Sequence, residues 1–246
     1  MRVYITEDAF CWKATRDGGS MGYQEGWDTA YRYFDLAQRI SDEHSDPFQL
    51  IDLVANLKRS IDHRLKKISH DYAFKKLNGL NFPRDTLGKL EKFGVVRPTM
   101  LKVISGLRNQ IEHGFESPPS LARCQELLDF TWYFLKSTDE ICRLIPDRFY
   151  LNYDYLFGYD STLWLEFVVS PADGWKEIFI RGNLLPMHFT KNKRSGIGID
   201  CFAVTGCRVE LGAAVRHQVS INGIHVANAS NVSKIVQAYF RADSNG

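Results

Sequence analysis

The sequence contains little that would place the protein in a membrane or in an oxidising compartment. No apolar run approaches the roughly 18 residues that a membrane-spanning helix needs. The first residues, from Met1 to Asp8, lack the apolar core of a secretory signal peptide. The five cysteines are odd in number and include no Cys-x-x-Cys pair, which argues against a disulfide framework and against a zinc cluster. We therefore expect a cytoplasmic protein whose cysteines are buried thiols.

The composition is that of a folded protein with room for two domains. Of the 246 residues, 44% are hydrophobic and 24% are charged, a balance that argues against disorder. A chain of this length can hold two domains of about 100 to 150 residues, each large enough for a hydrophobic core. The sequence has no internal repeat and no low-complexity tract.

The spacing of apolar residues changes near Pro146. Before this proline, apolar residues recur every three or four positions, as in amphipathic helices. The spacing predicts helices over 24–40, 47–69, 86–93, 97–113 and 120–144. Residues 1–23 contain a Gly-rich stretch and are expected to be an irregular lead-in.

After Pro146, short runs of aromatic and β-branched residues alternate with Gly, Asp, Asn and Pro, as in strands joined by turns. The runs predict strands over 149–159, 162–169, 175–181, 197–204 and 208–215. The polar triplets that begin at Asn228 and Asn231 are expected to lie in a loop. The sequence thus predicts an α+β protein, with an antiparallel helical bundle over residues 1–145 and an antiparallel β-rich domain over residues 146–246.

The formal net charge of +2 conceals a strong local asymmetry. Residues 1–57 contain 5 Lys or Arg and 10 Asp or Glu, whereas residues 58–108 contain 13 and 4. A basic segment of this kind attracts polyanions, so we expect RNA as a partner, with Lys66, Lys67 and Lys102 among its contacts. For any single lysine, a solvated helix face is an equally good explanation.

The candidate active site is the segment from Leu107 to Phe115, Leu-Arg-Asn-Gln-Ile-Glu-His-Gly-Phe. Arg108 provides a planar, permanently charged guanidinium that can hold a phosphate through two hydrogen bonds. His113 provides a side chain that exchanges protons near neutral pH. Metal-free RNA cleavage needs a phosphate-binding group and a proton-transferring group of these two kinds.

Spacing alone does not single out this pair. Three similar pairs occur elsewhere: Arg39 with His44, Arg64 with His70, and Arg181 with His188. The setting of Arg108 is different, because Asn109 follows it directly and Gly114 suits the end of a helix. Apolar residues at helical spacing accompany the motif, namely Leu101, Ile104, Leu107 and Ile111.

In these residues the chain resembles the HEPN superfamily, whose members carry an Arg-polar-x3-His type motif in a small helical bundle. The resemblance covers about residues 47–144, and its specific part runs from Leu90 to Val96 and then from Leu107 to Gly114, where a helix, a break and the motif helix follow in the family's order. Members are commonly ribonucleases of toxin–antitoxin and virus-defence systems. The resemblance implies a homodimer in which two motifs face each other.

Helix geometry is consistent with that implication. Residues five apart on an α-helix are rotated by about 140°, so Arg108 and His113 would not share a face of an unbroken helix. The pairs that do share a face are Asn109 with His113 and Arg108 with Glu112. Either the helix unwinds at Gly114 and reorients His113, or a two-fold dimer brings two motifs together.

The motif predicts a mechanism that requires no metal or other cofactor. His113 acts as general base or acid while the RNA 2'-hydroxyl attacks the adjacent phosphorus, and Arg108 stabilises the charge on the phosphoryl oxygens. Asn109 orients His113 or binds a phosphate oxygen, and Glu112 supports Arg108. The non-catalytic explanation is a structural salt bridge and a histidine that terminates the helix.

Two further hypotheses remain. One is a catalytically silent HEPN binding subunit that acts with an antitoxin, a nucleotidyltransferase or another partner, and the other is a dimerisation scaffold whose β domain recognises the ligand. Elsewhere, His63 and His70 share a helical face, although partly exposed surface histidines are commoner than functional ones. The aromatic residues after Pro146 could stack on bases, but a sheet core explains them better.

Overall fold

Helices and antiparallel strands occur together in the computed structural model of the protein, which confirms the α+β prediction. The structure describes residues 1–21, 27–43, 46–77, 82–114, 117–155, 158–191, 196–211, 214–225 and 229–244. The helices in the middle of the chain are α1 (Trp27–Glu43), α2 (Gln49–Asp71), α3 (Thr86–Lys92), α4 (Thr99–Gly114) and α5 (Leu121–Arg143).

Local sequence fixes where two of these helices begin. The Asp85 carboxylate accepts a hydrogen bond from the Gly88 backbone N–H at 2.7 Å, which caps α3. The Ser120 hydroxyl accepts one from the Arg123 N–H at 3.3 Å, which caps α5. Two prolines precede Ser120 and cannot continue a helix, so α5 starts where the sequence indicates.

The helices α1, α2, α4 and α5 share one apolar core. The helix predicted over 47–69 carries an apolar stripe, which α2 buries in this core at Leu50, Leu53, Val54, Leu57 and Ile61. It packs with residues of α1, α4 and α5 such as Phe34, Ile104 and Leu127. Burial of one such side chain contributes roughly 1.5 to 3 kcal/mol, so these residues provide much of the driving force for this core.

The charged side chain of Arg64 is buried in the helical unit. The Arg64 side chain is only 1% exposed and donates a hydrogen bond from Nη1 to Asp139 Oδ1 at 2.9 Å. The Tyr31 hydroxyl donates to the other oxygen of Asp139 at 2.7 Å. The Arg64 guanidinium also lies 4.8 Å from the Trp27 ring centroid. These contacts tie α1, α2 and α5 together through a single buried cation.

The strands and the last helix are β1 (Arg2–Thr6), β2 (Lys13–Asp17), β3 (Ser20–Met21), β4 (Leu144–Ile145), β5 (Arg148–Tyr155), β6 (Gly158–Val168), β7 (Phe179–Leu184), β8 (Gly196–Leu211), β9 (Ala214–His225), α6 (Ala229–Arg241) and β10 (Asp243–Ser244). Eight of them form one sheet in the order β1-β8-β9-β7-β6-β5-β2-β10. Its pairings are antiparallel, apart from the short parallel pair of β10 with β2. Strands β3 and β4 form a separate ribbon.

The apolar side chains of the sheet are buried with those of α6. Phe149 on β5 and Phe167 on β6 are directly opposite in the register and stack with ring centroids 4.5 Å apart. Tyr239 of α6 packs edge-on against Phe149 and against Trp175, and its hydroxyl donates to the Pro146 carbonyl at 2.9 Å. The aromatic residues Phe149, Phe167 and Trp175 are therefore core residues.

Alternate residues of the same strands form a polar row on the opposite face. Tyr150, Glu166, Arg181 and Asn222 are successive register partners across β5, β6, β7 and β9. Glu166 is buried at 1% exposure, and it accepts hydrogen bonds from the Tyr150 hydroxyl and from Arg181. A buried carboxylate is tolerated here because it has both a cation and a neutral donor.

Two expectations about the ends of the chain were wrong. Residues 1–23 are not an irregular lead-in, because β1 pairs with β8 and β2 pairs with β5. The polar segment after Asn228 is not a loop, because α6 begins at Ala229 and buries Ile235, Val236, Tyr239 and Phe240. In both places, burial against distant parts of the chain decides the local structure.

The chain divides into two compact units. The helical unit comprises residues 21–75 and 83–145, and the sheet unit comprises residues 1–20, 76–82 and 146–246. These ranges differ from the expected domains of 1–145 and 146–246, since the first 20 residues belong with the sheet. The change of unit between residues 145 and 146 coincides with the change of apolar spacing.

Candidate active site

The predicted motif lies on the last two turns of α4. Leu101 and Ile104 are buried in the helical core, and Leu107 packs against it partly buried. The helix begins after Pro98, whose carbonyl accepts a hydrogen bond from the Lys102 N–H at 3.0 Å. The core thus anchors one side of α4 and sets the direction of every other side chain along it.

The rotation of the helix places Arg108 and Asn109 in different surroundings. At about 100° per residue, Arg108 is rotated by about 40° from the buried Ile104, whereas Asn109 is rotated by about 140°. Accordingly, Arg108 is half-buried at the edge of the core and Asn109 is exposed. Lys102 is also exposed and lies within about 20° of Asn109 on the same outward face.

His113 and Glu112 belong to the same continuous helix. The backbone is helical through Gly114, whereas the first alternative had the helix unwind at that residue. By position, His113 lies one turn beyond Asn109 on the outward face, and Glu112 lies one turn beyond Arg108. The side chains of Glu112 and His113 lie outside the described part of the structure.

The three lysines expected to contact RNA have different surroundings. Lys66 on α2 and Lys102 on α4 are exposed. Lys67 is not a surface charge, because its side chain is 8% exposed and its ammonium lies 2.8 Å from the Asp71 carboxylate. Lys66 and Lys102 can meet a phosphate directly, whereas Lys67 first has to leave Asp71.

Two of the competing Arg and His pairs have structural roles. Arg64 is buried and paired with Asp139, and Arg181 is paired with Glu166. His188 is buried, and its ring packs edge-on against Trp12 with centroids 5.1 Å apart. Burial lowers the pKa of His188, so this imidazole is neutral near neutral pH. His44 lies outside the described residues.

A groove with two arginines on the exposed side of α1 lies outside the predicted motif. Arg32, Tyr33 and Arg39 lie along this groove, and Tyr33 stacks on His63 of α2 with ring centroids 5.2 Å apart. The sequence signal was present, because arginines seven residues apart on a helix share a face. The excess of acidic over basic residues in 1–57 obscures this signal.

The described residues contain no group of three or more His, Cys, Asp or Glu placed to hold a metal ion. In the same part of the chain, no helix is long and apolar enough to cross a membrane. No protein-family model, curated protein or solved structure matches the chain.

Proposed function

We propose that the protein is a metal-independent endoribonuclease of the HEPN type, of the kind that acts in toxin–antitoxin or antiviral defence systems. The observation that carries the proposal is the arrangement of α4. Arg108 is held half-buried beside the core, while Asn109 and the His113 position belong to the outward face. The core holds the Arg108 cation next to an accessible helix face. This arrangement suits RNA cleavage, because the cation can bind a phosphate while a group on that face exchanges protons with the atoms beside the phosphate.

In the proposed reaction the 2'-oxygen of the RNA attacks the adjacent phosphorus. A new bond forms between phosphorus and the 2'-oxygen, and the bond to the 5'-oxygen of the next nucleotide breaks. His113 accepts the hydroxyl proton or donates a proton to the departing oxygen. Arg108 stabilises the negative charge that develops on the phosphoryl oxygens. The products are a 2',3'-cyclic phosphate and a free 5'-hydroxyl.

The proposal includes a homodimer. Arg108 and His113 are separated by about 140° around a continuous helix, so one copy of α4 cannot direct both at the same phosphate from one face. A two-fold axis beside α4 provides a cleft with an arginine from one subunit and a histidine from the other. Asn109 lies between them in sequence and completes the cleft as a hydrogen-bond donor.

The test is an RNA cleavage assay with three single variants: Arg108→Ala, His113→Ala and Asn109→Ala. We expect His113→Ala to reduce the rate by about 10² to 10⁴ and Arg108→Ala by about 10² to 10³. Cleavage by the wild type should survive EDTA and leave a 2',3'-cyclic phosphate. Mixing the Arg108→Ala and His113→Ala proteins should restore part of the activity, because some dimers then contain one cleft with both groups.

Matched controls are Arg123→Ala and His70→Ala. Both side chains are on the helix surface, at 37% and 76% exposure. Each removes the same kind of side chain outside the motif and should leave the rate unchanged. Wild-type activity in either motif variant would refute the catalytic assignment, and a monomer in light scattering that still cleaves RNA would refute the shared cleft.

A specific observation favours one alternative, a silent HEPN subunit that binds a partner protein. Three neighbouring aromatic residues on α5, Phe130, Trp132 and Tyr133, are exposed. Aromatic side chains are enriched at the centres of protein interfaces. If the wild type cleaves no RNA, binding of a partner such as a nucleotidyltransferase through this surface becomes the leading hypothesis.

A further inference from the structure

The groove on α1 is a second candidate site in the helical unit. Its volume is about 490 Å³, and its described lining comes entirely from α1: Thr29, Arg32, Tyr33, Asp35, Leu36 and Arg39. The residues recur every three or four positions, so they form one face of the helix. The opposite face of α1 supplies Ala30, Phe34 and Ala37 to the core, which fixes the direction of the groove.

Two arginines of this groove are available to a ligand. Arg32 and Arg39 are exposed, and neither forms a hydrogen bond or an ion pair with another described residue. They are seven residues apart, which places them about 10 Å apart along the helix axis. Asp35, between them, is the one acidic residue in the described lining. The described lining therefore carries two positive charges and one negative charge.

A third arginine lies beside the groove on α2. The Arg59 guanidinium lies 6.0 Å from the Tyr33 ring centroid, and its Nη1 donates to Asn56 Oδ1 at 3.2 Å. His63, one turn further along α2, stacks on Tyr33 at an interplanar angle of 24°. These contacts hold the Tyr33 ring in place, and they put the Arg59 guanidinium beside a residue that lines the groove.

We infer that the α1 groove binds the sugar-phosphate backbone of single-stranded RNA, at a place separate in sequence from the α4 motif. The inference rests on the proposed ribonuclease function. Guanidinium groups bind phosphates through paired hydrogen bonds, and two of them about 10 Å apart suit a chain of phosphates better than a ligand with one charge. The Tyr33 ring and the partly exposed Leu36 offer an apolar surface for a base or ribose.

The experiment measures binding without cleavage. A fluorescent single-stranded RNA of about 20 nucleotides, fully 2'-O-methylated, has no 2'-hydroxyl to attack and therefore reports affinity alone. We compare the wild type with the double variant Arg32→Ala/Arg39→Ala over a series of salt concentrations. The matched control is Arg123→Ala/Arg143→Ala, which removes the same charge from α5, and circular dichroism verifies the fold of each protein.

The groove variant should bind at least about tenfold more weakly at low salt, the loss expected for one good charged contact. The slope of log affinity against log salt should fall by about 1.4, because each phosphate contact on a single strand contributes about 0.7. Arg32→Lys/Arg39→Lys should recover the slope and only part of the affinity, because lysine retains the charge without the paired hydrogen bonds. The Arg123→Ala/Arg143→Ala control should lower the affinity and the salt slope by less than the groove variant does.

The outcomes distinguish RNA binding by the groove from RNA cleavage at the α4 motif. If His113→Ala binds the RNA normally and the groove variant does not, the inference is supported. If the wild type cleaves RNA and the groove variant matches the control in affinity and slope, the groove inference is overturned and the ribonuclease proposal stands. If a duplex of the same length binds the groove as tightly, the assignment to single strands is wrong. A wild type that neither binds nor cleaves RNA overturns both.

Discussion

The buried Arg64 provides the sharpest test of how the helical unit is stabilised. The perturbation is Asp139→Ala, which removes the carboxylate that pairs with Arg64 and accepts the Tyr31 hydroxyl. Arg64 is then a buried charge without a counter-ion. Breaking a buried ion pair from one side costs about 3 to 5 kcal/mol.

The structure places the expected loss at the lower end of this range. Asp139 is 26% exposed, so water can reach the space that its carboxylate leaves. Arg64 also retains its contacts with the rings of Trp27 and Tyr31 at 4.8 and 5.4 Å. We expect Asp139→Ala to lower the free energy of unfolding by about 3 kcal/mol. Tyr31→Phe removes a single hydrogen bond to a charged acceptor and should cost about 1.5 kcal/mol.

The assay is urea denaturation followed by far-ultraviolet circular dichroism, which reports on the helices. The control is Asp62→Ala, because Asp62 pairs with Lys58 at the surface and is 54% exposed. Loss of a surface pair should change the free energy of unfolding by less than about 1 kcal/mol. If Asp139→Ala is no more destabilising than Asp62→Ala, the idea that Arg64 depends on its carboxylate is refuted.

The sheet unit contains a similar pair. Arg181→Ala should lower the free energy of unfolding by about 3 kcal/mol, because it leaves the buried Glu166 without its cation. Arg148→Ala, at a more exposed pair, should lower it by less than about 1 kcal/mol in the same denaturation assay. Burial raises the pKa of the Cys142 thiol to about 11, so in peptide mapping the exposed Cys11 should be alkylated by iodoacetamide well before Cys142. Because the raised pKa favours the neutral thiol in the folded state, the stability that Cys142 contributes should be complete below pH 9.0 and be lost as the pH rises towards 11. Faster labelling of Cys142 than of Cys11, or equal costs for the two arginine variants, would contradict these statements.

The helices were predictable because their apolar residues repeat with the helical period and their starts are marked. The predicted helix over 47–69 is α2, Gln49–Asp71, and the predicted 86–93 is α3, Thr86–Lys92. The predicted strand bounds agree less well with the structure than the predicted helix bounds do. The run over 149–159 proved to contain β5 and the beginning of β6, two strands that pair antiparallel.

The missed elements depend on distant partners. Strand β1 is only five residues long and forms because β8 lies beside it, almost 200 positions later. The sequence of residues 2–6 alone therefore does not indicate that they form a strand. The polar triplets before Ile235 likewise resemble a loop, and the helical period of α6 becomes clear only when Val236, Tyr239 and Phe240 are known to be buried.

The candidate site, like the fold, could be predicted where local sequence decides it and could not where distant residues do. The sequence placed the motif on a helix that buries Leu101 and Ile104 as expected, so the outward face of α4 could be anticipated. The setting of Arg108 favoured it over Arg64, but the local sequence did not show that Arg64, which also precedes a histidine on an amphipathic helix, is buried. The difference lies in burial, because Arg64 is 1% exposed and paired with Asp139, 75 residues away, whereas Arg108 is half-buried at the edge of the core.

The pairing of β1 with β8 also sets an order of events during synthesis. The first strand leaves the ribosome when its partner has not yet been made, and β8 is complete only at Leu211. At about 5 to 20 residues per second, this interval lasts roughly 10 to 40 s. The residues of the helical unit are all available before then, so the motif helix can assemble with its core while the sheet unit is still unfinished. A nascent chain would therefore carry a formed motif helix for some seconds before β1 pairs with β8.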